Sequence, residues 1–352
     1  MSHHDTRVTA AEIGGLFLVG IPGPQLDPDT QRLLERIHIG GVVLFRRNVD
    51  SPAQIARLTA ALHALPSAPL VAIDHEGGRV LRLGEPFTQF PPVARVGHSG
   101  DANLAFRVGQ AMAEELRSVG IDLNFAPVLD VDSNPANPII GDRAFSSDPA
   151  VVSQCGIAMM RGLLAGGVIP CGKHFPGHGD TVADSHLELP VVRRSRAELE
   201  RTELVPFRAA IAAGIPMLMT AHVVYPALDP TRPATVSPAV LTDLLRTELC
   251  FDGVIVSDDL EMRAIADHHA IGAAAVATLQ AGADALLVCQ DLHQAERAVQ
   301  AVAQRIADGA LPTATVRAAV ARLERLRQRR PPGQPAACAL PSAAHRALAQ
   351  SC

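Results

Sequence analysis

Eight times between residues 15 and 289, a short run rich in Val, Ile, Leu and Met gives way to a longer amphipathic stretch. The apolar runs lie at 15–19, 41–45, 70–73, 122–127, 168–173, 217–222, 253–257 and 285–289. The amphipathic stretches follow at 29–37, 52–65, 103–119, 150–165, 196–213, 238–249, 264–281 and 293–307. A strand that is apolar at nearly every position has both faces buried, which is the condition of a parallel sheet covered by helices. Eight strand–helix units in about 300 residues fit a (β/α)8 barrel better than an open doubly wound sheet. The fold class expected is therefore α/β, a single-domain (β/α)8 TIM barrel. The irregular region 120–148 reads as one strand with a long following loop rather than a further unit.

Linker-like composition first appears near the end, where Arg329-Arg330-Pro331-Pro332-Gly333 opens an Ala/Pro-rich segment. This predicts a barrel over 1–330 and a loosely packed tail over 331–352. The Arg-rich stretch 322–330 reads as a solvated helix face. A net charge of -5 with 19% charged residues speaks against a nucleic-acid or anionic-membrane surface. The absence of Trp and the single Tyr weaken any base-stacking scheme. No apolar run reaches the roughly 20 residues that span a bilayer. The first residues, Met1 to Asp5, lack the basic and apolar regions of a secretory signal. Six scattered cysteines without CxxC pairs read as reduced thiols of a cytoplasmic protein. No interface signal departs from a monomer.

Polar residues stop the apolar runs at their carboxyl ends. The third ends in Asp74-His75-Glu76-Gly77-Gly78-Arg79 with Arg82 close behind, and the fourth feeds a loop holding Asp130, Asp132 and Gly141-Asp142-Arg143. The fifth ends in Lys173-His174, the sixth in His222 and the seventh in Ser257-Asp258-Asp259. Taken singly, Asp74 reads as a cap, Arg143 as a surface ion pair and His222 as a core imidazole. Five strands converging on one rim are the mark of a barrel active site.

Asp74, Arg82, Arg143 and Lys173 supply donors and an acceptor suited to sugar hydroxyls and an N-acyl carbonyl. Asp258 is a carboxylate at a strand tip, able to attack an electrophilic carbon. The loop after Lys173 runs through His178 to Asp184-Ser185-His186. Asp184 is placed to receive the ring N–H of His186, which fixes the tautomer and raises basicity. A proton shuttle on a loop and a fixed carboxylate are the machinery of a two-step displacement at an acetal carbon. Asp259 reads as a cap or loop brace, because successive strand side chains point to opposite faces and one of the pair should face the mouth.

The strings Asp74-His75-Glu76-Gly77-Gly78-Arg79, Ile140-Gly141-Asp142-Arg143-Ala144-Phe145, Lys173 to Gly179 with Asp184-Ser185-His186, and Gly253 to Leu260 resemble glycoside hydrolase family 3. They are similar in particular to its single-domain bacterial β-N-acetylhexosaminidases. The resemblance implies Asp258 as nucleophile and His186 as acid/base, with Asp184 orienting the imidazole. It also implies sugar binding by Asp74, Arg82, Arg143, Lys173 and His174. It implies a small-molecule substrate, N-acetylglucosamine linked to 1,6-anhydro-N-acetylmuramic acid with or without peptide, in cell-wall recycling. No cofactor and no metal are implied. His75, where glutamine is frequent, and Gln290-Asp291, where asparagines are common, depart from the pattern near the expected rim.

Two other readings compete. Lys173, His174, His178, His222 and Asp258 could supply zinc ligands, although no early strand tip carries a His-x-His pair. A barrel that only binds amino sugars would need neither Asp258 nor His186.

Overall fold

The computed structural model describes residues 8–182, 189–330 and 338–352. Its core is a parallel sheet made of β1 (Phe17–Gly20), β2 (Gly41–Leu44), β3 (Leu70–Ile73), β4 (Leu123–Asn124), β5 (Ile169–Pro170 continued by Gly172–Phe175), β6 (Met217–Thr220), β7 (Val254–Asp259) and β8 (Ala285–Val288). Neighbours in sequence are neighbours in space, and Phe17 of β1 pairs with Leu286 of β8. The two halves of β5 close the ring. Ile169 pairs with Leu123 of β4, whereas Gly172 pairs with Leu218 of β6. The sheet is thus the expected (β/α)8 barrel, in a single domain.

Helices follow the strands nearly where the periodicity puts them, among them Pro28–Ile37, Pro52–His63, Ala102–Ser118, Pro149–Ala165 and Leu292–Ala307. Several start on a side chain that accepts an orphan helix amide. Asp148 accepts from Ala150 N–H with Pro149 in the first turn, and Ser51 accepts from Gln54 N–H. The strands β1, β2 and β3 are buried at every position, inside by the barrel core and outside by these helices. Region 120–148 contributes the short β4 and a long loop with one 3₁₀ turn, Gly141–Arg143.

The foot of the barrel differs from the sequence expectation. The Arg-rich stretch is not simply solvated. Arg322 reaches Asp284 Oδ1 at 3.1 Å, Arg327 donates to the Gly40 carbonyl at 2.9 Å, and Arg330 pairs with buried Asp122 at 2.8 Å. Arginine stems lie along apolar surface while their heads find carboxylates and carbonyls at strand beginnings. Within the tail, Ala343–Ser351 forms a helix with Leu348 buried. His345 sits between Glu115 at 2.9 Å and Glu114 at 3.2 Å. The described part of the tail is therefore packed against the helix Ala102–Ser118.

Candidate active site

A cavity of about 210 Å³ opens at the carboxyl ends of the strands, and Asp74, Glu76, Arg82, Arg143, Lys173, His174, Asp258 and Asp259 all line it. Every expected sugar-binding residue is therefore brought to one place. Asp184 and His186 lie outside the described residues. Their segment joins the barrel between Val182 and Leu189, directly after the loop described below.

Lys173 holds the centre. Its ammonium lies 2.6 Å from Asp74 Oδ1 and 2.6 Å from Glu76 Oε1. Arg143 forks onto the same Glu76 carboxylate through Nε and Nη2, both at 2.9 Å. Burial works against all these charges, yet Arg143 and Lys173 hold the Glu76 carboxyl far below its ordinary value. Asp74 and Glu76 in turn raise the Lys173 ammonium above its usual range, although burial alone would lower it. Arg82 reaches Asp74 at 3.5 Å, at the open side of this network. The set offers fixed donors around an acceptor, and hydroxyl groups of a sugar fit such a lining.

His174 is anchored from beneath by a buried carboxylate. Asp130 Oδ2 lies 2.7 Å from its Nδ1, while Asp130 Oδ1 accepts the amides of His174 at 3.1 Å and His178 at 2.7 Å. This places the ring Nε2 toward the cavity. His178 is a different case. Its Nδ1 is 3.0 Å from the Thr181 hydroxyl, and burial followed by the charge of His174 lowers it to about 4, so it is neutral near pH 7.

The loop that follows β5 is clasped by the loop that follows β4. Asn137 Nδ2 donates to the carbonyls of His178 and Gly179, both at 2.9 Å. Tyr225 donates its hydroxyl to Gly177 O at 2.6 Å, and Arg194 pairs with Asp180 at 2.8 Å. Gly179 has to be glycine, since a Cβ there would stand 1.6 Å from the Val131 carbonyl oxygen. The base of the segment carrying Asp184 and His186 is thereby built into the barrel.

Asp258 ends β7. Burial resists its ionisation, but His222, His174, the Asp259 amide and Lys173 together hold its carboxyl below the ordinary value. It is an ionised carboxylate in a cationic field, the state a nucleophile needs. His222 is fully buried between the Thr235 hydroxyl at 2.7 Å and the Asp259 carbonyl at 2.9 Å.

The structure corrects the sequence expectation at several places. Asp258 and Asp259 both line the cavity, although strict alternation assigns one of them to the opposite face. The register of β7 against β8 shifts between Val256 and Asp259, and such an irregularity suspends the two-residue period. The same shift between Gly172 and Phe175 accompanies the shared orientation of Lys173 and His174. His75 is not at the rim. It is buried beside the cavity wall, and burial with the charge of Arg82 lowers its imidazole to about 3. Glu76 and Asp130 stand in the strand-end strings of the sequence but carry no role in its reading. A signal for Glu76 existed, since Asp74 and Glu76 are two apart in an extended segment and so share a face. For Asp130 the signal was weaker: a lone acid within the apolar run Phe125 to Val131. Among the described residues, no three His, Cys, Asp or Glu side chains are grouped to hold a metal ion.

The glycosyl hydrolase family 3 N terminal domain matches residues 8–326. A β-hexosaminidase of Thiobacillus denitrificans is 45% identical over 282 residues, covering 78% of each chain. A solved family 3 β-N-acetylglucosaminidase from Paenibacillus is 38% identical with a TM-score of 0.94, covering 98% of this chain and 68% of that one. NagZ from Neisseria gonorrhoeae, solved in complex with N-trifluoroacetyl-D-glucosamine, is 36% identical with a TM-score of 0.75, covering 89% and 98% respectively.

Proposed function

The chain belongs to glycosyl hydrolase family 3 and is a glycoside hydrolase of the β-N-acetylhexosaminidase type, and on that footing we propose a retaining mechanism acting on muropeptides. In this reading it removes terminal N-acetylglucosamine from its disaccharide with 1,6-anhydro-N-acetylmuramic acid, with or without peptide, during cell-wall recycling. Asp74, Arg82, Arg143, Lys173 and His174 hold the amino sugar. Asp258 attacks the anomeric carbon while His186, oriented by Asp184, protonates the departing oxygen. The glycosyl ester on Asp258 is then hydrolysed by water that His186 deprotonates, and the sugar leaves with retained configuration.

The observation that carries this reading is the ionised Asp258 carboxylate facing a cavity lined by Lys173, Arg143 and His174. Binding alone requires neither a nucleophile at a strand tip nor a proton shuttle beside it. The reading carries a monomer in the cytoplasm, consistent with six free cysteines. No helix among the described residues is long and apolar enough to cross a membrane.

Trapping tests it directly. A 2-acetamido-5-fluoro glycosyl fluoride should label Asp258, identified by peptide mapping, and NMR of early product should show the β-anomer. A label on another carboxylate, or an inverted product, defeats the proposal.

A further inference from the structure

We propose that Asp259 is the positioning residue that holds Asp258 in its attacking pose, a role that rests on Asp258 being the nucleophile. Asp259 is the residue at which three strands meet. Its amide donates to Asp258 Oδ1 at 2.8 Å. Its carbonyl accepts from His222 Nε2, at the tip of β6, at 2.9 Å. Its side-chain Oδ1 accepts the amide of Glu261 at 3.1 Å and the amide of Cys289, just past β8, at 3.2 Å. Both peptide planes flanking Asp259 are thereby pinned, and one of them supplies the hydrogen bond at the nucleophile. Oδ1 is the side-chain acceptor that ties the assembly to β8, beside the backbone bond from the Leu260 amide to the Leu287 carbonyl at 3.0 Å. Losing it loosens the peptide that carries the Asp258 contact, and displacements of about 1 Å in a reacting group cost on the order of 10²-fold in rate.

The same carboxyl is also poised to change charge. Glu261 and Asp258 act on it from its own segment, the Cys289 amide and thiol and the Gln290 side-chain amide lie beside it just past β8, and His222 after β6 holds its backbone carbonyl. Arg47 approaches through the Cys289 carbonyl, which it holds at 2.5 Å. Burial foremost, followed by the repulsion of Glu261 and Asp258, outweighs the donated amides and pushes the Asp259 carboxyl up to about 7. Above that pH, a second negative charge stands beside a sugar that becomes cationic in the transition state, and the field there favours bond making at Asp258.

The test is the rate and site of labelling by the 2-acetamido-5-fluoro glycosyl fluoride, whose fluoride leaves with little need of a proton. Wild type, Asp259→Ala and Asp259→Asn are compared from pH 6 to 8. Asp259→Ala should label Asp258 about 10²-fold more slowly. Asp259→Asn keeps an acceptor oxygen for both amides and should recover about tenfold of that loss. Wild-type labelling should rise by about threefold from pH 6 to 8, and Asp259→Asn should be flat. An unslowed Asp259→Ala, or equal slowing in both variants, overturns the positioning role while Asp258 keeps its assignment, and a pH rise that persists in Asp259→Asn overturns the charge contribution. A label on another residue removes the nucleophile reading and this role with it. Should Asp259→Ala fail to melt cooperatively, Asp259→Leu, which is similar in size to Asp and also lacks the acceptor, replaces it in the same comparison.

Discussion

The mouth and the foot of this barrel both bury carboxylates, but they finish them differently. At the foot, Asp284 accepts the Ile255 amide at 2.8 Å and is paired with Arg246 and, at 3.1 Å, Arg322. Asp122 accepts the Val71 amide at 3.0 Å and meets His63 and Arg330, each at 2.8 Å. Both Asp284 oxygens accept hydrogen bonds, while Asp122 accepts through Oδ2 and meets the Arg330 guanidinium with Oδ1 as an ion pair. At the mouth, the hydrogen bond described at Asp258 comes from the neighbouring Asp259 amide, and the carboxylate otherwise faces the cavity. A buried charge completed by the protein orients and locks. One left with an open side waits for a ligand to complete it.

Substitutions at the two ends should therefore separate activity from stability. Asp258→Ala should lower kcat on the order of 10⁴-fold or more while the thermal midpoint hardly moves, read by steady-state kinetics and calorimetry together. A large loss of stability with little loss of kcat would erase the contrast. His186→Ala should cost roughly 10²- to 10⁴-fold on poor leaving groups and clearly less on a nitrophenyl glycoside. Equal losses on both, where glycosylation limits the rate, would remove the imidazole from the acid role.

Glu76 belongs to both sides of the comparison, because it lies at the mouth yet is fully paired. Glu76→Gln leaves Lys173 and Arg143 short of a buried counter-charge, which costs about 3–5 kcal/mol in unfolding free energy and raises KM. The pH dependence follows from the sign of its shift. The folded carboxyl lies far below the unfolded value of about 4.3, so its stabilisation is complete above that pH and fades as pH falls toward the depressed folded value. Urea titrations of wild type and Glu76→Gln should differ most at neutral pH and converge in acid. A gap that widens in acid would contradict the ion-pair account.

Asp284→Ala is the counterpart at the foot. It strands Arg246 and Arg322 and should also cost about 3 kcal/mol, but kcat per folded molecule should be unchanged. A kcat that falls with stability would mean the foot reaches the chemistry. The smallest effect is expected in the tail. His345→Ala should lower stability by about 1 kcal/mol or less, and a larger loss in chemical denaturation would make the docked tail helix part of the cooperative core.

Much of this contrast is legible in the sequence. The barrel follows from a repeated local pattern, and the strand tips carry Asp74, Lys173, His174 and Asp258 in motifs that need no distant context. The same holds for the loop strings around Arg143. Three things were not legible. Glu76 becomes central only because Arg143, 67 residues away, and Lys173 converge on it. Asp130 matters because the β5 loop folds over it. The Arg-rich helix reads as solvated until the beginnings of β4 and β8 supply carboxylates at its side.

The sequence by itself determined the order of strands and helices, the end of the barrel at which polar chemistry gathers, and the residue types available there. Those are periodic or contiguous signals, written by burial and backbone geometry over a few residues. Only the tertiary structure decided which charges are closed off and which stay open, and that Asp258 and Asp259 share one wall. Pairing in a low-dielectric interior depends on contacts of about 3 Å between segments far apart in the chain, and on register shifts that no local period announces.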